Sequence, residues 1–99
     1  MAQFQVYRDR EEPGYLLDCQ SDLLSGLSTR LVVPLFPQDN GPPPSPRLNP
    51  TLKVRGEALV MMTHFAVAVP ERRLGEAVAC VASEYIAIIN AFDMLLTGY

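Results

Sequence analysis

The chain is short of the residues on which most catalytic and metal chemistry rests. Its 99 residues include one histidine and two cysteines. His64 has no Cys or acidic cluster at ligand spacing beside it, so the sequence builds no metal site. No recognisable nucleophile turn supports a Ser–His–Asp triad. No catalytic residue and no cofactor is expected. Cys19 and Cys80 are too few for the disulfide framework of a small secreted protein, and they read as free, buried thiols packing as small hydrophobes. Positive charge is also scarce. Eight Lys and Arg stand against eleven Asp and Glu, a net charge of -3, which argues against broad binding of a phosphate backbone. Apolar runs, residues 85–89 among them, fall far short of the ~20 residues that span a bilayer. Residues 1–10 hold no apolar signal-peptide core. A cytoplasmic protein without membrane contact is expected.

What the chain does have is apolar content, 48% of residues. A chain of this length makes one domain, residues 1–99, and buries roughly 60–65% of its unfolded surface. So much apolar surface on so small a body favours an oligomer. The most apolar stretch is the C-terminal one, SEYIAIINAFDMLLTGY. Its polar residues Ser83, Asn90, Asp93 and Thr97 fall seven, three and four apart, on one narrow stripe of an α-helix. The rest of the circumference is nearly all apolar, beyond the ~100° arc that a single core requires. The helix, placed at 83–97 with Ser83 as its cap, therefore wants a second apolar neighbour, either more of its own domain or a second copy of the chain. Gly98 sits where a helix commonly stops in the left-handed conformation. Tyr99 then ends the chain near the surface.

Upstream the pattern is β. Residues 3–7 alternate, with Phe4 and Val6 on one face and Gln3, Gln5 and Tyr7 on the other. The charged segment 8–14 ends in Pro-Gly and reads as a hairpin loop into a second strand at 15–19. The pair Leu23–Leu24, in an irregular segment, reads as a core plug. Residues 30–35 make a third strand, and Pro34 places it at an edge or ends it. Residues 37–50 hold six of the nine prolines and read as an exposed, stiffened loop. Arg55-Gly56 joins two strands of a hairpin. Met61, Met62 and Phe65 supply core volume, and residues 65–70 form another strand. Residues 71–75 open a helical turn, and Leu74, Val78 and Val81 continue at helical spacing. The expected architecture is an antiparallel barrel or sheet of five to seven short strands with a terminal helix.

Several short segments then line up in order: QFQVY at 3–7, CQSDLL at 19–24, RLVVPL at 30–35, MMT at 61–63, VP at 69–70, GEAVA at 75–79 and NAFDMLLTGY at 90–99. Together they resemble the CcdB toxin family; the Pro-rich segment 37–50 does not match. The resemblance implies an SH3-like barrel that dimerises through its terminal helix, here by Ile88, Phe92 and Leu95. It implies the toxin of a type II toxin–antitoxin module, which binds the DNA gyrase A subunit without catalysis and traps it on cleaved DNA. The gyrase contacts it implies are Leu23, Leu24, Asp93, Leu96, Thr97, Gly98 and Tyr99. Of these, Gly98 is kept from the family pattern, Thr97 falls at a Trp and Asp93 at an Asn. A disordered antitoxin would cover Tyr7, Arg8, Arg10, Gly98 and Tyr99.

Two other functions compete with gyrase poisoning. One is an antitoxin-binding homologue that has lost the poison surface, as Thr97 and Asp93 suggest. The other is an endoribonuclease toxin, for which Arg30 beside Ser28-Thr29 is the compact candidate to hold a phosphate.

Overall fold

A computed structural model describes residues 2–38 and 45–98. Its strands are β1 (Gln5–Asp9), β2 (Tyr15–Asp18), β3 (Thr29–Pro37), β4 (Thr51–Val54), β5 (Glu57–Met61), β6 (Val67–Pro70) and β7 (Leu74–Cys80), followed by the helix α1 (Tyr85–Thr97). They form one antiparallel sheet in the order β4-β5-β3-β2-β1-β7, with β6 also paired to β3. The sheet curls until its ends meet: Arg55, in the turn between β4 and β5, donates from Nε to the Val78 carbonyl of β7 at 2.9 Å. The expected mainly-β architecture with a terminal helix holds.

Alternation along the strands feeds both faces of this sheet. Val6, Leu17, Val33 and Leu35 point inward and meet Leu52, Leu59 and Met61. Ile88 and Ala91 of α1 close that core. The neighbouring residues Tyr7, Leu16 and Val32 point the other way, into a smaller cluster with Val69 and Leu74. Burial pushes the Tyr7 phenol above its ordinary pKa.

Arg55 and Gly56 both have positive φ, 52° and 81°. That is the primed-turn geometry whose twist matches a two-residue hairpin. Phe4 is also left-handed, at φ 70°. The strained backbone is fixed from both sides, since its N–H donates to Asp18 O (2.6 Å) and its carbonyl accepts from Val81 N–H (2.9 Å). Its ring lies in the main core.

Several expectations are corrected. β3 is no edge strand: it pairs with β2 on one flank and with β6 and β5 in succession on the other. Pro34 sits at the switch between those two partners. Its carbonyl accepts from Met62 N–H (3.0 Å), so the N–H it lacks would have faced the gap where no strand pairs. Residues 74–80 are the strand β7 and not an approach to the helix. Ser83 does not cap α1. It lies in a short 3-10 turn, Ala82–Glu84, and the N-cap residue Glu84 makes no side-chain capping bond. Phe65 is exposed beside Phe36. Cys80 is exposed while Cys19 is largely covered, and both thiols are free. Burial raises the Cys19 thiol so far that it stays protonated.

The expected loop at 37–50 begins one residue late, since Pro37 closes β3, and residues 39–44 lie outside the described part. Its far end is pinned to the barrel. Asn49 is buried and donates from Nδ2 to Met61 O at 3.0 Å, and Thr63 Oγ1 donates to Leu48 O. Among the described residues no helix is long and apolar enough to cross a membrane, and no group of three or more His, Cys, Asp or Glu is arranged to hold a metal ion.

Candidate functional site

After β2 the chain makes a single 3-10 turn, Asp22–Leu24, with Ser21 as its cap: Ser21 Oγ accepts from Leu23 N–H at 3.2 Å. The turn points its aliphatic side chains outward. Leu23 is 95% exposed, and Leu24 and Leu27 are half exposed. The core plug expected here is overturned. The turn lies outside the buried β2–β3 pair, and the bonds that hold it from outside reach Asp22 Oδ1 and the Leu24 carbonyl, leaving the leucine side chains turned to water.

The helix has two apolar faces with different duties. Ile88 and Ala91 are fully buried in their own barrel. Ile88, expected between two copies of the chain, is thus spent inside one of them, and it has no surface to share. Phe92 packs against the edge of the same core. Leu95, one turn beyond Ala91 on that side, emerges past the barrel and is partly exposed. A second line runs through Tyr85, Ile89, Phe92 and Leu96, spaced four, three and four apart, so it stays on one side of the helix. Tyr85, Ile89 and Leu96 of this line are exposed, Leu96 by 76%, and Ile86 flanks them at 61%. Sequence reading named Leu96 and Phe92 but missed Tyr85, Ile86 and Ile89. The four-three-four spacing was visible, yet two apolar stripes on one helix do not announce which one turns inward.

The end of α1 matches expectation in its backbone. Gly98 is left-handed at φ 81°, and its N–H donates to Met94 O at 3.0 Å. Asp93 and Thr97 are exposed on the flank of the outward line. Thr97 turns its hydroxyl back onto the helix, donating to Asp93 O at 2.7 Å. Tyr99, expected at both partner sites, lies outside the described residues.

The hairpin loop expected to meet an antitoxin is tied to the barrel. Tyr7 is buried and donates from its hydroxyl to Gln5 Oε1 at 2.7 Å, so its ring is not available to a partner: the alternation that put it opposite Val6 put it in the second cluster. Arg8 lies over the Tyr15 ring, 5.5 Å from its centroid, and near Glu76 at 3.4 Å. Arg10 donates from Nε to Leu74 O at 3.2 Å. Both arginines remain exposed. Beside them a cavity of about 110 Å³ is lined by Glu12, Pro13, Tyr15, Pro34, Phe36 and Arg73 among others. Small-molecule sites begin near ~300 Å³, so this cleft is undersized for one.

Arg30, the candidate phosphate holder, is not available either. It is buried, and both Nε (3.0 Å) and Nη2 (2.7 Å) donate to Asp18 Oδ2. Among the described residues the surface offers shape and exposed apolar area rather than assembled reactive groups.

No curated protein sequence matches the chain. The family model described as CcdB protein matches residues 3–98, all but the two first residues and the last. With that match spanning both the strands and the two-faced helix, the chain belongs to the CcdB family, whose members are known as toxins of toxin–antitoxin modules.

Proposed function

We propose that the protein is the toxin of a type II module that acts in the cytoplasm as a homodimer, binding the DNA gyrase A subunit and holding it on cleaved DNA until a disordered antitoxin removes it. The observation that carries this reading is the outward-facing leucine turn, with Leu23 at 95% exposure, together with Leu96 at 76% near the end of α1. Isolated exposed leucines are ordinary, but side chains this bare on a defined turn and on a capped helix end suit a protein partner. Leu24, Asp93, Thr97, Gly98 and Tyr99 complete the proposed gyrase surface. No bond need be made or broken. A ligand that prefers one state of its target shifts the target's equilibrium by that difference in affinity.

The homodimer draws on Tyr85, Ile89 and Phe92 of the outward line, with Leu95 beside them; Tyr85, Ile89 and Leu95 are uncovered in the single chain. Arg8 and Arg10, exposed beside the hairpin, suit an acidic antitoxin segment. A second reading keeps the antitoxin and drops the poisoning. It is favoured by Thr97, whose hydroxyl is spent on its own helix where the family carries an indole, and by the exposed charge of Asp93. The ribonuclease reading loses its candidate with Arg30 locked to Asp18.

Purified protein incubated with gyrase and supercoiled plasmid decides between them. Linear DNA after denaturation supports poisoning. Intact DNA with tight antitoxin binding supports the second reading. Cut RNA in a parallel tube would revive the third.

A further inference from the structure

The leucine turn stands on a buried polar unit that the proposed contacts do not use. Asp18 and Arg30 are both buried, and their carboxylate and guanidinium face each other at 2.7 Å. The second carboxylate oxygen, Asp18 Oδ1, accepts from Gln20 N–H at 3.1 Å. Gln20 is itself buried and spans the base of the turn. Its Nε2 donates to Leu24 O (3.0 Å), and its Oε1 accepts from Leu31 N–H (3.0 Å) on the opposite side. Arg30 Nη2 also donates to Gln20 O at 3.4 Å. From the N-terminal side, Gln3 N–H donates to Asp22 Oδ1 (2.8 Å) and Gln3 Nε2 to Cys19 O (3.1 Å).

Burying an ion pair returns little stability over apolar side chains of equal volume. What a fully bonded one supplies is fixed geometry. Here that geometry is delivered to the segment carrying the most exposed leucine of the chain. We propose that Asp18, Arg30 and Gln20 are positioning residues for the partner-binding turn, so that Leu23 and Leu24 are presented ready-made instead of being ordered on contact. Side chains held in their bound arrangement lose less freedom on association. The inference rests on the reading that these leucines meet gyrase.

Gln20→Met removes the side-chain bonds while keeping an unbranched chain of similar length. Gln20→Glu keeps an acceptor for Leu31 N–H and, as the carboxylate, sets an oxygen against Leu24 O where the amide donated. Amide hydrogen exchange by NMR is read on the full-length protein, alongside affinity for the isolated gyrase A subunit. In both variants the Leu24, Ser25 and Leu27 amides are expected to exchange about tenfold faster, with Leu17 and Val33 unchanged. Gyrase affinity is expected to fall about tenfold in Gln20→Met, and by much less when Leu23 is already alanine, because the two residues then act through one contact. Unchanged exchange in the turn, or the same affinity loss in both backgrounds, overturns the proposal. If the wild-type protein binds no gyrase, the functional reading fails separately, and the exchange rates alone decide whether Gln20 holds the turn.

Discussion

Arg73 closes on Asp9 through two parallel bonds, Nε to Oδ1 and Nη2 to Oδ2, each 2.9 Å, across 64 residues of chain. The pair fastens the end of β1 to the turn before β7, and the Arg10 N–H to Arg73 O bond (3.0 Å) tightens the same seam. Asp9 is largely covered. The Arg73 hydrogen bonds hold its carboxyl below the ordinary 3.8, overcoming the opposite pull of burial. A depressed folded pKa means the stabilisation is complete above the ordinary value and disappears as pH falls through the folded one. Asp9→Asn should cost about 1–3 kcal/mol at neutral pH. It should also flatten the loss of stability between about pH 5 and pH 2, measured by urea unfolding. Parallel pH curves for the two proteins would show that the pair carries no such linkage.

The pair beneath the leucine turn behaves differently because neither partner reaches water. Arg30→Met leaves the Asp18 carboxylate buried without its cation, at a cost of about 3–5 kcal/mol. Adding Asp18→Leu to that variant should recover most of the loss, since it removes the orphaned charge. Thermal unfolding of the single and double variants checks this, and a double variant no more stable than the single would refute it.

Two aliphatic side chains make a sharp contrast. Leu23→Asp should leave stability within about 0.5 kcal/mol, because the side chain is already in water. Ile88→Ala, in the closed core, should cost about 2–5 kcal/mol. In the DNA cleavage assay Leu23→Asp should lose trapping while its circular dichroism is unchanged. Retained trapping would remove the turn from the gyrase surface.

The outward line on α1 supplies a test of assembly. Ile89→Asp places a charge in the middle of the stripe and should convert a dimer to a folded monomer in sedimentation equilibrium. A wild-type protein that is monomeric at micromolar concentration would leave that stripe without the proposed occupant.

At the helix end, a Cβ on Gly98 meets nothing within 4 Å. Gly98→Glu should therefore cost only the left-handed strain, about 1 kcal/mol, and keep the spectrum of the native fold. The same variant should abolish gyrase trapping, because a charged side chain then projects from the proposed contact. Global unfolding of the variant would mean that the helix end is buried.

Elements set by local rules were readable from the chain. The Arg55–Gly56 turn and the left-handed Gly98 follow from backbone sterics, and the early strands follow from alternation. β7 was hidden by arithmetic. Leu74 and Val78 are four apart, a separation that keeps two residues on one side of a helix and of a strand alike. Val81 then completed a false helical series from beyond the strand's end. Pro34 misled because the rule against proline in a central strand assumes one continuous neighbour on each side, and β3 changes neighbour at that residue. For the candidate site, the leucine pair was named but expected indoors, since apolar residues usually are. Its support was not legible. The bond between Asp18 and Arg30 joins different strands across 12 positions, and no local pattern marks two charges that will be buried together. Tyr7 and Ile88, expected at contacts, are buried in the single chain for one shared reason: periodicity sorts residues into faces without saying which faces are covered.

The position of β3 has a consequence for how the protein comes into being. Its two flanks are completed by residues 15–18, 57–61 and 67–70, and the core beneath it needs Val78, Val81, Ile88 and Ala91 from the last quarter of the chain. Such distant pairings are slow to find, on the scale of milliseconds to seconds for β-rich domains. A half-made chain on the ribosome has the central strand with only β2 beside it, so the barrel closes only once the last quarter of the chain has been made.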